Sequence, residues 1–529
     1  MAYFKDLREL ITVLEANQKL HRIAPATATD TEMMPLVRWQ FRGLREEERR
    51  AFLFEQPVKN GKKYDGQVLV ACYAASRQIY ALGMQCREDE IYERWVAAQM
   101  NPIAPKIVAQ GPCQEEIHIG DTLLAHGGMD EFPVPISTPG FDNAPYLTAP
   151  HYVTKDPDTG SHNVGVYRAM LKSPTHIGAN GIENQHLFIH RRKWREKGFK
   201  KMPAAVVLGV LPNLAFCGVS ALPYGVSEYD VAGGIAGEPM EMVRCQTSDL
   251  LVPAHAEIVL EGEIDTEYLE RDGSFGEYTG YIGRFKMTPY FDIKCITHRR
   301  HPIYSCFLSQ FPPSESSKLR QIGSEGVYLK FLRHDANVPC VRDVAFHETG
   351  GSWQYCVLRL KKSHPYEPWQ ALHAAAGLSP LQGKILIAVD EDIDPWDAES
   401  VNWALSFRLQ PHRDVEIIRG RVAGLDPSGA SPDSPDARYP NPPHGGSAML
   451  MDATRKFPYP PVALPAREFM EKAKANWEKL GLPPLTPKEP WCGYELGFWT
   501  DEEREESRLA LSDEYHKTGE KVAAEREKG

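Results

Sequence analysis

The ten cysteines contain no C-x-x-C pair, no apolar run approaches the roughly 20 residues of a membrane span, and the basic runs are short. Each absence removes a class of protein. Cysteines scattered from Cys72 to Cys492 supply neither a zinc knuckle nor a disulfide framework, so reduced thiols are expected. His190-Arg191-Arg192-Lys193 is the kind of basic run present, and with a net charge of -11 the chain offers no surface for tracking phosphates, so nucleic acid is not an expected partner. Nor is a membrane. There is no G-x-x-x-x-G-K-[S/T] loop and no G-x-S-x-G elbow; Gly233-Gly234-Ile235-Ala236-Gly237 lacks dinucleotide-fingerprint spacing and reads as turns or close packing. The start, Met-Ala-Tyr-Phe-Lys-Asp, has no apolar signal core, which makes a cytoplasmic location the expectation.

What remains is an ordinary globular composition, 42% apolar and 25% charged, over 529 residues. At about 150 residues per unit, that length predicts three or four folding units. Leu7, Leu10, Ile11 and Leu14 recur at helical spacing behind Asp6 and Glu9, predicting an amphipathic helix with a capping-box-like start. Gln67 to Ala71 reads as a buried strand in an N-terminal α/β domain, residues 1–120. Residues 121–315 turn β-rich, with strands over Ala204 to Leu211 and Ala256 to Ile264, predicting a barrel or sandwich. Lys384 to Val389 is a continuous apolar strand and Ala398 to Arg408 a helix, giving a C-terminal α/β domain over 316–470. Residues 425–447, dense in Pro, Gly, Ser and Asp, predict a long loop or linker, and the extension 471–529 is expected to be helical or exposed. The fold class is therefore multidomain α+β.

Five polar residues in the β-rich stretch could carry chemistry: Asn163, Arg168, His186, Glu228 and Glu277. Asn, His and Glu offer mixed oxygen and nitrogen ligands for a divalent ion, although with 18 histidines and 71 acids in the chain the same trio also reads as structural. Arg168 is suited to clamping a carboxylate through its planar fork, and a structural ion pair is the alternative. Strand alternation puts Asn163, Gly165 and Tyr167 on one face and Arg168 on the other, unless a strand end re-aims it. Asp272 and Glu277, separated by a glycine-containing turn, could share a cleft, where mutual repulsion or burial would raise a carboxyl pKa and keep a proton available.

Several runs together resemble the UbiD-like decarboxylases: N-V-G-V-Y-R at 163–168, Gln185-His186, G-V-S-E at 225–228, D-L-L-V-P-A from Asp249, E-I-V-L-E-G from Glu257, F-G-E at 275–277 with T-G-Y at 279–281, then V-D-E-D-I-D from Val389 and M-D-A-T from Met451. The similarity runs in order over roughly residues 5 to 460, and that order makes it specific. The resemblance implies a central split β-barrel like that of flavin reductases, flanked by N-terminal and C-terminal α/β domains, the latter joining subunits into a homo-oligomer, dimer or hexamer. It implies prenylated FMN, supplied by a flavin prenyltransferase, with Mn²⁺, Mg²⁺ or Fe²⁺ held by Asn163, His186 and Glu228, and K⁺ beside it. Val166, Tyr167, Arg168, Gln185, Ser220, Ala221 and Leu222 would line the cofactor. The catalytic triad falls on Asp272, Arg168 and Glu277, with Asp where Glu is commoner. Where some relatives carry a phosphate-binding lysine, this chain has Glu399. The implied activity is non-oxidative decarboxylation of an aromatic carboxylic acid, with the reverse carboxylation open, Arg168 orienting the substrate and Glu277 donating the proton. An aromatic acyl-CoA substrate such as phthaloyl-CoA is one alternative; a flavin- or metal-dependent oxidoreductase and a non-catalytic assembly subunit are others.

Overall fold

In the computed structural model, residues 2–181, 183–283, 285–429, 446–485 and 497–526 are described. The predicted N-terminal helix spans Leu7–Ala16: Asp6 caps it by accepting the Arg8 and Glu9 N–H groups, and Leu7, Leu10, Ile11 and Leu14 are all buried. It precedes a sheet in which strand Leu20–Ala28 runs parallel to Ala51–Lys59, which pairs antiparallel with Gln67–Val70. The last strand of this sheet, Ile303–Cys306, comes from far along the chain. Everything between Val70 and Ile303 is thus an excursion from one sheet back to itself.

That excursion builds a nine-stranded sheet that curls on itself. Its order is Tyr146–Leu147, Ala169–Ser173, His176–Gly178, Tyr290–His298, Ile258–Asp265, Lys201–Leu208, His151–Lys155 and His162–Val166, with Glu116–Ile119 also pairing with Tyr290–His298. Strand Lys201–Leu208 is buried almost throughout, as its run of Ala, Val and Leu predicts. It begins and ends about three residues earlier than the apolar pattern suggests, because Gly209 turns the chain at φ +70 and a side chain there would strike Glu257.

Helix Glu315–Lys330, capped by Ser314, is buried along nearly its whole length and leads from this region to the C-terminal sheet. That sheet has the order Val341–Phe346, Tyr355–Leu360, Ile385–Asp390, Gly446–Asp452, Val415–Arg421. Leu358 and Leu386 face a core shared with helix Glu367–Leu378, whereas Val357 and Ile387 face one shared with helix Ala398–Arg408. Helices on both faces explain why the Ile385–Asp390 strand reads as a continuous apolar run. Of the loop expected over 425–447, residues 430–445 lie outside the described residues. After Thr500 come two helices, Asp501–Leu511 and Tyr515–Ala524, with no buried residue. Among the described residues no helix is long and apolar enough to cross a membrane.

Candidate active site

A cavity of about 490 Å³ lies between the curled sheet, helix Glu315–Lys330 and residues Leu378 to Gln382. Strand His162–Val166 forms one wall, held in register by the pairing of Asn163 with Thr154 and of Val164 with Val153. Two helix beginnings converge on this strand. His186, the first residue of helix His186–Glu196, places Nδ1 2.8 Å from the Asn163 Oδ1. Glu228, the first residue of helix Glu228–Ala236, accepts the Val164 N–H at 2.9 Å. Burial lifts the Glu228 carboxyl to about 8, opposed by backbone N–H groups and, among the described residues, by no side-chain cation. The Asn163 Nδ2 is buried and has no hydrogen-bond partner among the described residues. An amide, an imidazole and a buried carboxyl lacking a counter-ion form a donor set that fits a divalent cation, whose charge would keep Glu228 ionised.

On the adjoining wall Arg168 stands beyond the strand end at Val166, so it escapes the alternation and reaches the cavity. Its guanidinium lies 3.2 Å from the Glu277 Oε1 and 3.6 Å from the Asp272 Oδ1. The Phe275 and Tyr146 rings sit 4.9 and 5.5 Å from the guanidinium carbon, a cation–π arrangement that holds its plane. Glu277 leads a tight turn: its N–H donates to the Tyr281 carbonyl, and the Gly280 N–H donates back to the Glu277 carbonyl with Gly280 at φ +88. Burial raises the Glu277 pKa; Arg168, Lys286 and Arg320 oppose that rise, and the Asp272 charge adds to it. Lys286 is itself brought down to about 8 by burial and by Arg168.

Asn163, Val166, Tyr167, Arg168, Gln185, His186, Ser220, Ala221, Leu222, Glu228 and Glu277 all line this one cavity. Asp272 does not. It lies fully buried behind Arg168, where Asn180 Nδ2 donates to its Oδ1 at 2.9 Å and Gly178 leaves room for its Oδ2. Glu399 is exposed in the first turn of its helix and away from the cavity lining. Sequence reasoning missed Lys286, Tyr278, Arg320 and Trp353, which complete the wall around Glu277. Arg320 packs over Tyr278 and Trp353 at 4.9 and 5.1 Å. The SSKLRQ run around it reads as any helix surface, and no local signal marks it.

Two family models match the chain: the 3-octaprenyl-4-hydroxybenzoate carboxy-lyase Rift-related domain over residues 106–311 and the C-terminal domain of the same carboxy-lyase over 323–453. The chain belongs to the UbiD family. Its enzymes are prenylated-FMN-dependent carboxy-lyases, and that is the enzyme class of this chain. An uncharacterized protein of Archaeoglobus fulgidus is 31% identical over 508 residues, covering 91% of this chain and 99% of that one. An evolved dimeric form of the UbiD-class enzyme HmfF from Pelotomaculum thermopropionicum, solved in complex with prFMN, matches with a TM-score of 0.75 at 28% identity, covering 89% of this chain and 100% of that one. The closed form of Sedimentibacter hydroxybenzoicus vanillic acid decarboxylase matches with a TM-score of 0.76 at 25% identity, over 91% of this chain and 99% of that one.

Proposed function

We propose that this cavity holds prenylated FMN and releases CO₂ from an aromatic carboxylic acid without net redox change, Arg168 orienting the acid and Glu277 supplying the proton that replaces CO₂. The observation that carries this reading is the meeting, on one cavity, of the Arg168–Glu277 pair and the Asn163, His186 and Glu228 donor set. In the same reading the nine-stranded sheet is a split barrel of the flavin-reductase kind. Asn163, His186 and Glu228 would hold Mn²⁺ or Mg²⁺ at the cofactor phosphate, with K⁺ nearby, and Gln185, Val166, Tyr167 and Ser220 to Leu222 would border the flavin.

Loss of CO₂ from an unsaturated carbon leaves an electron pair with nowhere to go, and bound prenylated FMN supplies the sink. The chain's own residues position and protonate. Arg168 cannot lose its charge near neutral pH, and its aromatic supports fix its plane, so it can hold a carboxylate in one orientation. Glu277 keeps a proton more readily than an exposed glutamate because it is buried, and the surrounding cations keep that affinity from becoming too great for release. Tyr278 and Trp353 offer apolar rings for a flat substrate. The likeness to a vanillic acid decarboxylase supports a benzenoid acid.

The test is protein produced alongside a flavin prenyltransferase, examined by native mass and absorbance and then screened against aromatic acids and their CoA esters for CO₂ release. Net decarboxylation with no pyridine nucleotide consumed is expected. Glu277→Gln should retain the cofactor mass yet lose CO₂ release and exchange of substrate hydrogen with solvent; full turnover in that variant removes Glu277 as the donor.

A further inference from the structure

Two histidines and a glutamate that do not line the cavity face one another where strand Glu116–Ile119 pairs with strand Tyr290–His298. The register sets His118 opposite Ile296, so His298, two residues on, projects from the same face as His118. The turn Gly128–Glu131 brings Glu131 over that face. The His118 Nδ1 lies 3.2 Å from the Glu131 Oε2, and the His298 Nε2 lies 3.6 Å from the Glu131 Oε1. Both imidazoles are only 5% exposed, yet among the described residues neither of these ring nitrogens, nor the Glu131 Oε2, has a hydrogen-bond partner.

Buried polar atoms left this way are costly unless something else satisfies them. The surroundings already prepare one ring as a ligand. The His298 Nδ1 sits 2.8 Å from the Arg299 carbonyl oxygen; donating there leaves the Nε2 lone pair directed at Glu131. The His118 ring is held against His126, with centroids 3.8 Å apart and planes 17° from parallel. Four ligands bonded to zinc at about 2.0–2.1 Å stand roughly 3.3 Å from one another in a tetrahedron. The two imidazoles approach the two oxygens of one carboxylate at 3.2 and 3.6 Å, near that spacing, and with one ligand atom taken from each residue the three lie within 4.8 Å of one another.

We propose that His118, Glu131 and His298 bind one divalent transition-metal ion, Zn²⁺ by ligand chemistry, with water in the fourth position. Two neutral imidazoles and one carboxylate suit zinc rather than the oxygen-preferring Mg²⁺ or Ca²⁺. The ion would tie the sheet edge at 116–119 to the turn at 128–131, a structural clamp independent of the reading given to the cavity.

The test uses the full-length protein stripped by a chelator and dialysed against Zn²⁺, with bound metal measured per chain. Wild type should hold one equivalent more than His118→Asn/His298→Asn, which retains every cavity residue. Zn²⁺ should raise the wild-type Tm and leave that of the double variant unchanged. If the double variant does not fold, Glu131→Gln decides: it should match wild-type Tm in chelator while binding Zn²⁺ at least about tenfold more weakly. Equal stoichiometry in wild type and the histidine variant, or equal Zn²⁺ affinity in Glu131→Gln, overturns the site.

Discussion

Replacing Arg168 with Met leaves two buried acids facing each other without the cation between them. Asp272 is fully buried and Glu277 is 8% exposed, and both stand within 3.6 Å of the guanidinium. Breaking a buried pair by removing one partner costs about 3–5 kcal/mol. Glu277 has an escape, because losing Arg168 removes the largest influence opposing its raised pKa, and it takes up a proton instead of remaining charged. A carboxyl whose folded pKa is raised contributes stability below its unfolded pKa that is lost as pH rises through the folded one. The deficit of Arg168→Met should therefore be larger at pH 8 than at pH 5. In a cooperative unit of about 200 residues, 3 kcal/mol lowers Tm by roughly 6–12 °C. Calorimetry of the cofactor-free protein at both pH values measures this, and Arg168→Met/Glu277→Gln should recover at least half of the loss at pH 8. A Tm shift equal at both pH values, or under about 2 °C, would refute the claim that this guanidinium neutralises the acids.

Gly178→Ala puts a Cβ 2.2 Å from the Asp272 Oδ2, so it should cost about 1–3 kcal/mol and lower kcat for CO₂ release while cofactor content, read by absorbance, stays unchanged. Glu315, fully buried and accepting the Ala71, Tyr73 and Leu308 N–H groups, is pushed up to about 7 by burial. Its contribution is whole below about pH 4.5 and fades as pH rises through 7, by roughly 3 kcal/mol, so Glu315→Gln should flatten the decline of Tm with pH across that window. Arg320→Met should raise KM for the aromatic acid about tenfold or more with a smaller change in kcat, since Arg320 packs against the rings that wall the pocket; an unchanged KM would place the substrate elsewhere.

Local patterns foretold local structure well. The Leu7–Ala16 helix follows from four apolar residues at helical spacing, and the Ala398–Arg408 helix has its predicted bounds. Strand ends were less legible, because a turn such as that at Gly209 depends on a neighbour, Glu257, 48 residues away. Arg168 shows the same limit. Alternation alone turned it from the cavity, and only the strand's end at Val166 brings it in. Lys286, Arg320 and Trp353 were invisible because nothing near them in sequence announces chemistry; long-range packing alone sets them beside Glu277. His118 and His298 are likewise joined by strand pairing across 180 residues, and the turn that carries Glu131 is folded over them, without the close spacing that marks a metal motif.

Of the two acids beside Arg168, only Glu277 lines the cavity. Asp272 has no access to the cavity, takes the Asn180 amide on one oxygen and fits its other oxygen against the backbone of Gly178. A longer side chain at 272 would need space that this packing does not leave. Its charge acts at a distance, orienting Arg168 and adding to the proton affinity of Glu277. Glu277 faces the cavity, and its Oε1, though 3.2 Å from the guanidinium, has no hydrogen bond among the described residues. In the proposed reaction a proton on that carboxyl would leave toward the substrate without breaking a hydrogen bond at that oxygen, whereas Asp272, buried and off the cavity lining, has no such route.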